Sequence, residues 1–279
     1  MKHILIPIDF SDNAYNALIY AKTLFSDHSA TFYLLNVYIS NPSHLLSSEQ
    51  NTSTLDEMSG NEGQDLKDFL NIAKKENNNN LHSYEIISKT GALVKVINTA
   101  VISNKIDYIV MGTKGAEGSK EVFLGSNTVK VINGIENCPL LVVPQNFVPK
   151  SPSMIAFSTN FKRTFVKEEL APLIDIAITN NSKINIARIM QEEYLTTHQK
   201  ENKETLKKLF NDLDYIFCKI DVETSETKAL KDFAMQTECD LISLVHHKQN
   251  FFEKLVQEDV VDKISFNSPL PLLILPEMK

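Results

Sequence analysis

Half of the chain's eight glycines fall in one short stretch, MGTKGAEGSKEVFLGSNT (residues 111–128). Gly112, Gly115 and Gly125 follow the spacing G-x2-G-x9-G, and Ser126 comes directly after the last glycine. Glycine allows the backbone to approach a ligand closely, and a helix that begins beyond Gly125 would direct amide N–H groups at an anion. The stretch therefore predicts a phosphate-binding loop.

The commoner phosphate motifs do not occur in this stretch. The dinucleotide fingerprint GxGxxG would need a glycine at position 114, where the chain has lysine, and the Walker A sequence GK[ST] is missing. Several side chains at the start of the predicted helix could add hydrogen-bond donors, namely Ser126, Asn127 and Thr128. Lys114 and Lys120 are either solvated loop charges or phosphate ligands.

Short apolar runs alternate with helical patterns in the first half of the chain. The candidate strands are residues 3–8, 31–38, 84–88, 107–112 and 139–144. Apolar residues recur at helical spacing in 14–25, 66–73 and 93–100, and another helix is predicted from Ser126 to about Asn137. This order is typical of a doubly wound α/β fold with parallel strands and helices on both faces. The polar residues 39–62 predict a long surface loop.

Two of the chemically interesting residues lie where predicted strands end. Gly112 closes the strand 107–112, and Asp9 follows the strand 3–8. Ligands of doubly wound sheets bind beyond the carboxyl ends of the strands. A carboxylate at that position accepts hydrogen bonds from ribose hydroxyls or an adenine amine. Alternatively, Asp9 supports the start of a helix that Ser11 caps, and the sequence leaves both roles open.

The chain repeats part of itself. The matching pairs are ILIPIDF (4–10) with IAFSTNF (155–161), DYIVMG (107–112) with DLISLV (240–245), and NCPLLVVP (137–144) with SPLPLLILP (268–276). We therefore predict two domains of one kind, residues 1–147 and 152–279. The segment between them contains proline and suits a linker.

The apolar terminal strands of the two halves predict how the halves meet. Residues 140–144 and 271–276 would each leave an exposed sheet edge, which invites pairing unless it is covered. We expect the halves to pack face to face through these strands as an intramolecular pseudo-dimer, and further homodimerisation is an open alternative.

The second half has lost the phosphate-binding pattern. Counting from the shared segments, the counterparts of Asp9, Gly112, Gly115, Gly125 and Ser126 are Asn160, Val245, Lys248, Gln257 and Glu258. A carboxylate at a helix N-terminus would occupy the positive end of the dipole and repel a phosphate. We expect the second half to bind no nucleotide and to serve a structural or regulatory role.

Composition excludes several classes of function. The net charge is −7 without a cluster of Lys and Arg, so we expect neither nucleic acid nor an anionic membrane as a partner. The chain has no apolar run long enough to span a bilayer, and we expect a cytoplasmic protein. Cys138, Cys218 and Cys239 are odd in number and far apart, which predicts core residues rather than disulfides or a zinc site. The adjacent His246 and His247 would point to opposite faces of a strand, so we expect no metal site.

The glycine spacing, the opening segment ILIPIDFS and the closing segment CPLLVVP together resemble the universal stress protein family. The resemblance implies two tandem Rossmann-like domains of the adenine nucleotide alpha hydrolase type, each with a five-stranded parallel sheet. It also implies an ATP site in the first domain, with or without Mg²⁺, or with ADP or AMP as the ligand. The residues that match the family's site are Pro7, Asp9, Val37, Met111, Gly112, Gly115, Gly125, Ser126, Asn127 and Thr128.

Four functions are compatible with this pattern. The leading hypothesis is a nucleotide-binding stress-response or signalling regulator that is not an enzyme and acts through an unknown protein partner. An ATP-consuming enzyme is less favoured because the first 150 residues contain no arginine to stabilise a phosphoryl transition state. A phospho-receiver domain would need an aspartate after the third strand, where the chain has Ser88-Lys89-Thr90. The fourth alternative is an interaction module with an empty site.

Overall fold

The computed structural model describes residues 1–38, 60–75, 79–113, 125–135, 137–189, 194–221, 226–246 and 268–278, with side chains from residue 65 onward in the second range. The first half contains the strands β1 (Lys2–Ile8), β2 (Ala30–Tyr38), β3 (His82–Thr90), β4 (Tyr108–Gly112) and β5 (Leu140–Val143). Its helices are α1 (Asp12–Leu24), α2 (Gly60–Lys75), α3 (Leu93–Ser103) and α4 (Ser126–Gly134).

The second half repeats this alternation. Its strands are β6 (Met154–Thr159), β7 (Lys183–Ile189), β8 (Tyr215–Ile220), β9 (Leu241–His246) and β10 (Leu272–Pro276). Its described helices are α5 (Lys167–Thr179), α6 (Thr197–Leu209) and α7 (Glu226–Gln236). Within the described ranges, no helix is both long enough and apolar enough to cross a membrane.

The ten strands of the described residues form one sheet in the order β3-β2-β1-β4-β5-β10-β9-β6-β7-β8. The strands within each half are parallel. Each half has the order of a doubly wound Rossmann-like sheet, with the switch point between its first and fourth strands. The predicted α/β class and the predicted parallel pairing are confirmed.

The two halves meet edge to edge through β5 and β10, which are antiparallel. Leu272 pairs with Val142, and Ile274 pairs with Leu140. The predicted contact between the terminal strands is confirmed, but the predicted face-to-face packing is wrong. Helices already cover both faces, so the free backbone groups of the two strand edges satisfy each other.

Backbone geometry confirms the internal repeat. Phe10 and Phe161 occupy matching positions after β1 and β6, and both adopt a left-handed conformation, with φ of 61° and 56°. Asp107 accepts a hydrogen bond from the His3 N–H, and its counterpart Asp240 accepts one from the Met154 N–H. Such matched details show that the two halves share one local design.

Helices cover both faces of the sheet, as predicted. The helices α1, α2, α5 and α6 contribute to the core on one face, whereas α3, α4 and α7 contribute to the core on the other. Two predicted boundaries are wrong. The loop predicted over 39–62 overlaps α2, which begins at Gly60, and residues 39–59 lie outside the described ranges. The helix predicted to reach Asn137 ends at Gly134 because Ile135 turns to an extended conformation that leads toward β5.

Polar contacts reinforce the seam between the halves. The Nζ atom of Lys2 lies 2.7 Å from both carboxylate oxygens of Asp175 on α5. The Tyr108 hydroxyl donates a hydrogen bond to the same carboxylate at 2.7 Å. Burial and the negative charge of Asp175 raise the pKa of Tyr108, so this hydroxyl stays protonated and keeps its role as donor. Residues 144–153 form neither helix nor strand, and the domain boundary predicted within them stays a prediction.

The polar helix α6 is more buried than the sequence predicts. The polar sequence of residues 199–208 is typical of a solvated helix face, yet Gln199 and Asn202 are buried. Gln199 donates a side-chain hydrogen bond to the Asn160 carbonyl, and Asn202 donates one to the Phe161 carbonyl. These amides therefore fasten α6 to the turn that follows β6.

Candidate functional site

Three apolar residues of the predicted site share one face at the carboxyl ends of adjacent strands. Met111 on β4 is buried in the core beneath α3 and α4, and Val37 on β2 packs against the same core. Pro7 lies two residues beyond Leu5, which belongs to that core, so strand alternation places Pro7 on the same face. Leu5 pairs with Ile109, which sets Pro7 level with Met111. The structure therefore brings these three residues together.

Asp9 lies directly beyond β1 and is exposed. Its Oδ1 atom accepts hydrogen bonds from the Ser11 backbone N–H at 3.2 Å and the Ser11 hydroxyl at 2.6 Å. The Ser11 hydroxyl in turn accepts a bond from the Ala14 N–H and so caps α1. Asp9 thus supports the helix start, as one of the two sequence-based alternatives states. Both bonds use Oδ1, so Oδ2 takes no part in this turn.

Gly112 is packed against a residue that sequence reasoning missed. An ideal Cβ atom at position 112 would lie 2.5 Å from Nδ2 and 2.6 Å from Cγ of Asn13. Asn13 belongs to the first turn of α1 and is buried. The absence of a side chain at Gly112 is therefore required by protein packing, in addition to any role in ligand binding. Asn13 lies four residues before Ala17 on α1, a spacing that could have indicated its inward direction.

The helix α4 begins immediately after Gly125, as predicted. Gly125 is its N-cap residue with an extended backbone, and no described side chain caps this end. The Gly125 N–H donates to the Thr113 carbonyl, which ties the start of α4 to the end of β4. The amides in the first turn of a helix have no acceptor within the helix. Since Ser126 and Asn127 are exposed, this end of α4 is open to an anion.

Thr128 has a different role from the predicted one. Its hydroxyl is buried and donates to the Gly112 carbonyl at 3.0 Å. The predicted side-chain donor to phosphate is therefore corrected, because this hydroxyl joins α4 to β4 instead. Gly115, Lys114 and Lys120 lie outside the described residues, so their predicted roles stay predictions.

The second half reproduces the turn without the glycine. The Oδ1 atom of Asn160 accepts a bond from the Lys162 N–H, as Asp9 does from Ser11. The counterpart of Gly112 is Val245, which is buried at the end of β9. The counterparts of the other site glycines, and His247, lie outside the described residues.

Two of the three cysteines are core residues, as predicted, whereas Cys218 on β8 is only partly buried. Cys138 and Cys239 are buried free thiols. Burial raises the pKa of Cys138 to about 12, and burial likewise raises the pKa of Cys239. Thiols held in the neutral form are poor nucleophiles, so these two do not add reactive groups to the candidate site.

The comparisons with known proteins agree with this fold and motif. The sequence profile described as "Universal stress protein family" matches residues 1–144. A universal stress protein of Methanocaldococcus jannaschii is 30% identical over 142 residues, which cover 51% of this chain and 81% of that protein.

Solved structures extend the similarity to both halves. A universal stress protein of Archaeoglobus fulgidus, at 14% identity, aligns with a TM-score of 0.68 over 99% of this chain and 96% of that chain. A universal stress protein solved in complex with cAMP is 15% identical and covers 46% of this chain and 100% of that chain, with a TM-score of 0.36. The Archaeoglobus structure shows that two repeats of one fold cover the chain. Because the family profile spans the half that carries the glycine motif, the chain belongs to the universal stress protein family.

Proposed function

We propose that the first half binds one adenine nucleotide, ATP with or without Mg²⁺, and that the second half binds none. The observation that carries this proposal is the exposed, uncapped start of α4 beside the carboxyl end of β4. This position lies at the switch point between β1 and β4, where doubly wound sheets bind their ligands. ADP and AMP fit the same chemistry with fewer phosphate contacts.

The apolar residues supply a surface for the base. Pro7, Val37 and Met111 share one face of the sheet, and an adenine ring gains from leaving water for such a surface. Pro7 and Val37 are partly exposed, so a ligand can reach them from solvent, whereas Met111 is buried and rests on the core. We assign the adenine to the apolar surface that these three residues form.

Asp9 is assigned to the ribose. Its carboxylate is exposed at the end of β1, and Oδ2 does not take part in the turn with Ser11. Ribose hydroxyls donate hydrogen bonds, and a carboxylate only accepts them. A bond from an ionised acceptor is stronger than one between neutral groups.

The start of α4 is assigned to the phosphates. The amides of Ser126, Asn127 and Thr128 belong to the first helical turn, and the helix dipole places partial positive charge there. Gly125 offers no side chain that would keep the phosphates away. In the second half, Glu258 is the sequence counterpart of Ser126 and would add a negative charge at that position.

We further propose that the protein acts as a regulator and does not hydrolyse ATP. The first 150 residues contain no arginine, and efficient phosphoryl transfer relies on cationic groups around the transferred phosphate. Nucleotide occupancy would then alter how the protein binds a partner protein during a stress response in the cytoplasm. Release of inorganic phosphate from ATP should not exceed the rate without protein, and a turnover that saturates with ATP would make the protein an ATPase instead.

Calorimetric titration of ATP into the wild-type protein and into the Gly125→Glu variant tests the site. This change places a side chain and a negative charge at the start of α4. Losing two charge-assisted hydrogen bonds, at about 1.5–3 kcal/mol each, weakens binding by roughly two to four powers of ten. Titrations with ADP, AMP and cAMP rank the ligands.

The matched control is Ile102→Glu, which adds the same carboxylate at an exposed position near the end of α3. Its affinity should equal that of the wild type, and circular dichroism should show that both variants are folded. Unchanged affinity in folded Gly125→Glu would mean that the site is elsewhere. Absence of binding to the wild type would favour the interaction module.

A further inference from the structure

Helix α1 starts at the candidate nucleotide site. Ser11, its N-cap residue, is held by the Asp9 carboxylate through two hydrogen bonds. Two residues later, Asn13 packs against Gly112 at the end of β4. The first turn of α1 therefore contacts both of the strand ends that form the switch point.

The middle of α1 holds the start of the segment that joins β5 to β6, residues 144–153, which we call the linker. The Asn16 side-chain amide donates to the Phe147 carbonyl at 2.9 Å and lies 3.3 Å from the Pro144 carbonyl oxygen. The Phe147 N–H donates to the Pro144 carbonyl at 3.1 Å, so residues 144–147 form a turn. One helical turn further on, the Tyr20 ring packs edge-on against the Phe147 ring at 5.2 Å. Asn16 and Tyr20 thus clamp residues 144–147 against α1.

The end of α1 contacts the second half. The Leu24 carbonyl accepts a hydrogen bond from the Asn180 side-chain amide at 3.4 Å. A continuous helix of 13 residues therefore runs from the candidate site, past the linker, to the other half. The rise of an α-helix places Asn16 only about 7 Å along the axis from Ser11.

The second half fastens the corresponding segment through a different residue, because the Glu169 carboxylate on α5 accepts a hydrogen bond from the Met278 backbone, two residues beyond β10. Its helix α5 also has 13 residues and occupies the equivalent place, so that Ala171 corresponds to Asn16. Alanine cannot donate a side-chain hydrogen bond. The amide that holds the linker therefore belongs to the half that keeps the site residues.

We propose that α1 transmits nucleotide occupancy to the linker, with Asn16 as the positioning residue that holds residues 144–147. The inference rests on the proposed nucleotide site. A nucleotide that bonds to Asp9 and to the start of α4 restrains the first turn of α1 from both sides. Because α1 is a continuous hydrogen-bonded rod, the restraint reaches Asn16 and makes its bond to the Phe147 carbonyl more persistent.

Hydrogen exchange of the full chain, measured by mass spectrometry with and without saturating ATP, tests this link. Local opening controls amide exchange, so the peptide that contains Phe147 should exchange about fivefold more slowly with ATP. In Asn16→Ala the same peptide should exchange faster without ATP, and ATP should no longer slow it. ATP affinity should stay within about threefold of the wild type, because Asn16 is not a ligand.

Asn79→Ala is the matched control. Its amide donates to the Ser26 carbonyl at 2.7 Å, which is the same kind of bond in the same half but away from the linker. The ATP effect on the linker should persist in this variant. An unchanged linker in wild-type protein that binds ATP would overturn the inference and leave the nucleotide site intact. An ATP effect that persists in Asn16→Ala would also overturn it, and failure of calorimetric ATP binding would overturn the proposed function.

Discussion

Gly112→Ala tests the packing at the end of β4. An ideal Cβ atom would lie 2.5 Å and 2.6 Å from two side-chain atoms of Asn13, and Asn13 is 2% exposed. Such separations are too short for carbon contacts, and buried neighbours can relieve them only by repacking. Inserting a methyl group into a packed interior costs about 1–3 kcal/mol, so the free energy of unfolding should fall by about 2 kcal/mol.

A double-mutant cycle separates this clash from other effects. Asn13→Ala removes the atoms that the new methyl group would meet, so Gly112→Ala should cost much less in that background. The coupling between the two changes should be about 1–2 kcal/mol, within the range for residues in contact. Urea unfolding followed by circular dichroism gives the four free energies. Additive effects, or a loss below about 0.5 kcal/mol for Gly112→Ala alone, would refute the packing argument.

Three further predictions concern stability and reactivity. Asp175→Ala should lower the free energy of unfolding by about 2 kcal/mol because the seam loses a hydrogen-bonded carboxylate, whereas Lys228→Ala in an exposed pair should cost less than about 0.5 kcal/mol in the same urea assay. Burial lowers the pKa of His82 below its ordinary 6.5, so the unfolded chain binds more protons just below that pH. The free energy of unfolding should therefore decline as the pH falls through 6.5, and His82→Gln should flatten that part of the curve when urea unfolding is repeated across the range. Cys138 and Cys239 should react with an aromatic disulfide reagent only after unfolding, and rapid labelling of either thiol in native protein would contradict their burial.

The elements of the first half could be predicted because parallel strands buried on both faces are apolar throughout. β4 and β5 are fully buried and stand out as unbroken apolar runs. The strand β3 is longer than predicted, since it lies at the sheet edge and alternates between exposed and partly buried residues. Because the ends of such a strand are not continuously apolar, the apolar pattern predicts only its middle.

Long-range packing explains what the sequence could not show. The edge-to-edge joining of β5 and β10 depends on which faces of the sheet the helices cover. The sequences of the two strands do not indicate that coverage. Gln199 and Asn202 look like surface residues in a polar stretch, yet they are buried because carbonyl groups beyond β6 need donors. Tertiary contacts therefore override a polar pattern.

The candidate site was predictable in outline. The predicted strand ends and helix start place Asp9, Gly112 and Gly125 at one end of the sheet, and the strand order of the structure puts them at the switch point between β1 and β4. The direction of a hydroxyl was not predictable, because Thr128 could have faced either a ligand or the end of β4 and the structure shows the second. Asn13 was missed because its partner is a glycine that is distant in sequence.

Native mass spectrometry of the full chain with excess ATP tests the central claim most directly, because it counts bound nucleotides. The first half keeps the open start of α4, and the sequence counterpart of Ser126 in the second half is Glu258. The wild-type chain should carry one ATP, and Gly125→Glu should carry none at the same concentration. Two nucleotides on the wild-type chain, or one retained by a folded Gly125→Glu variant, would contradict a single site in the first half.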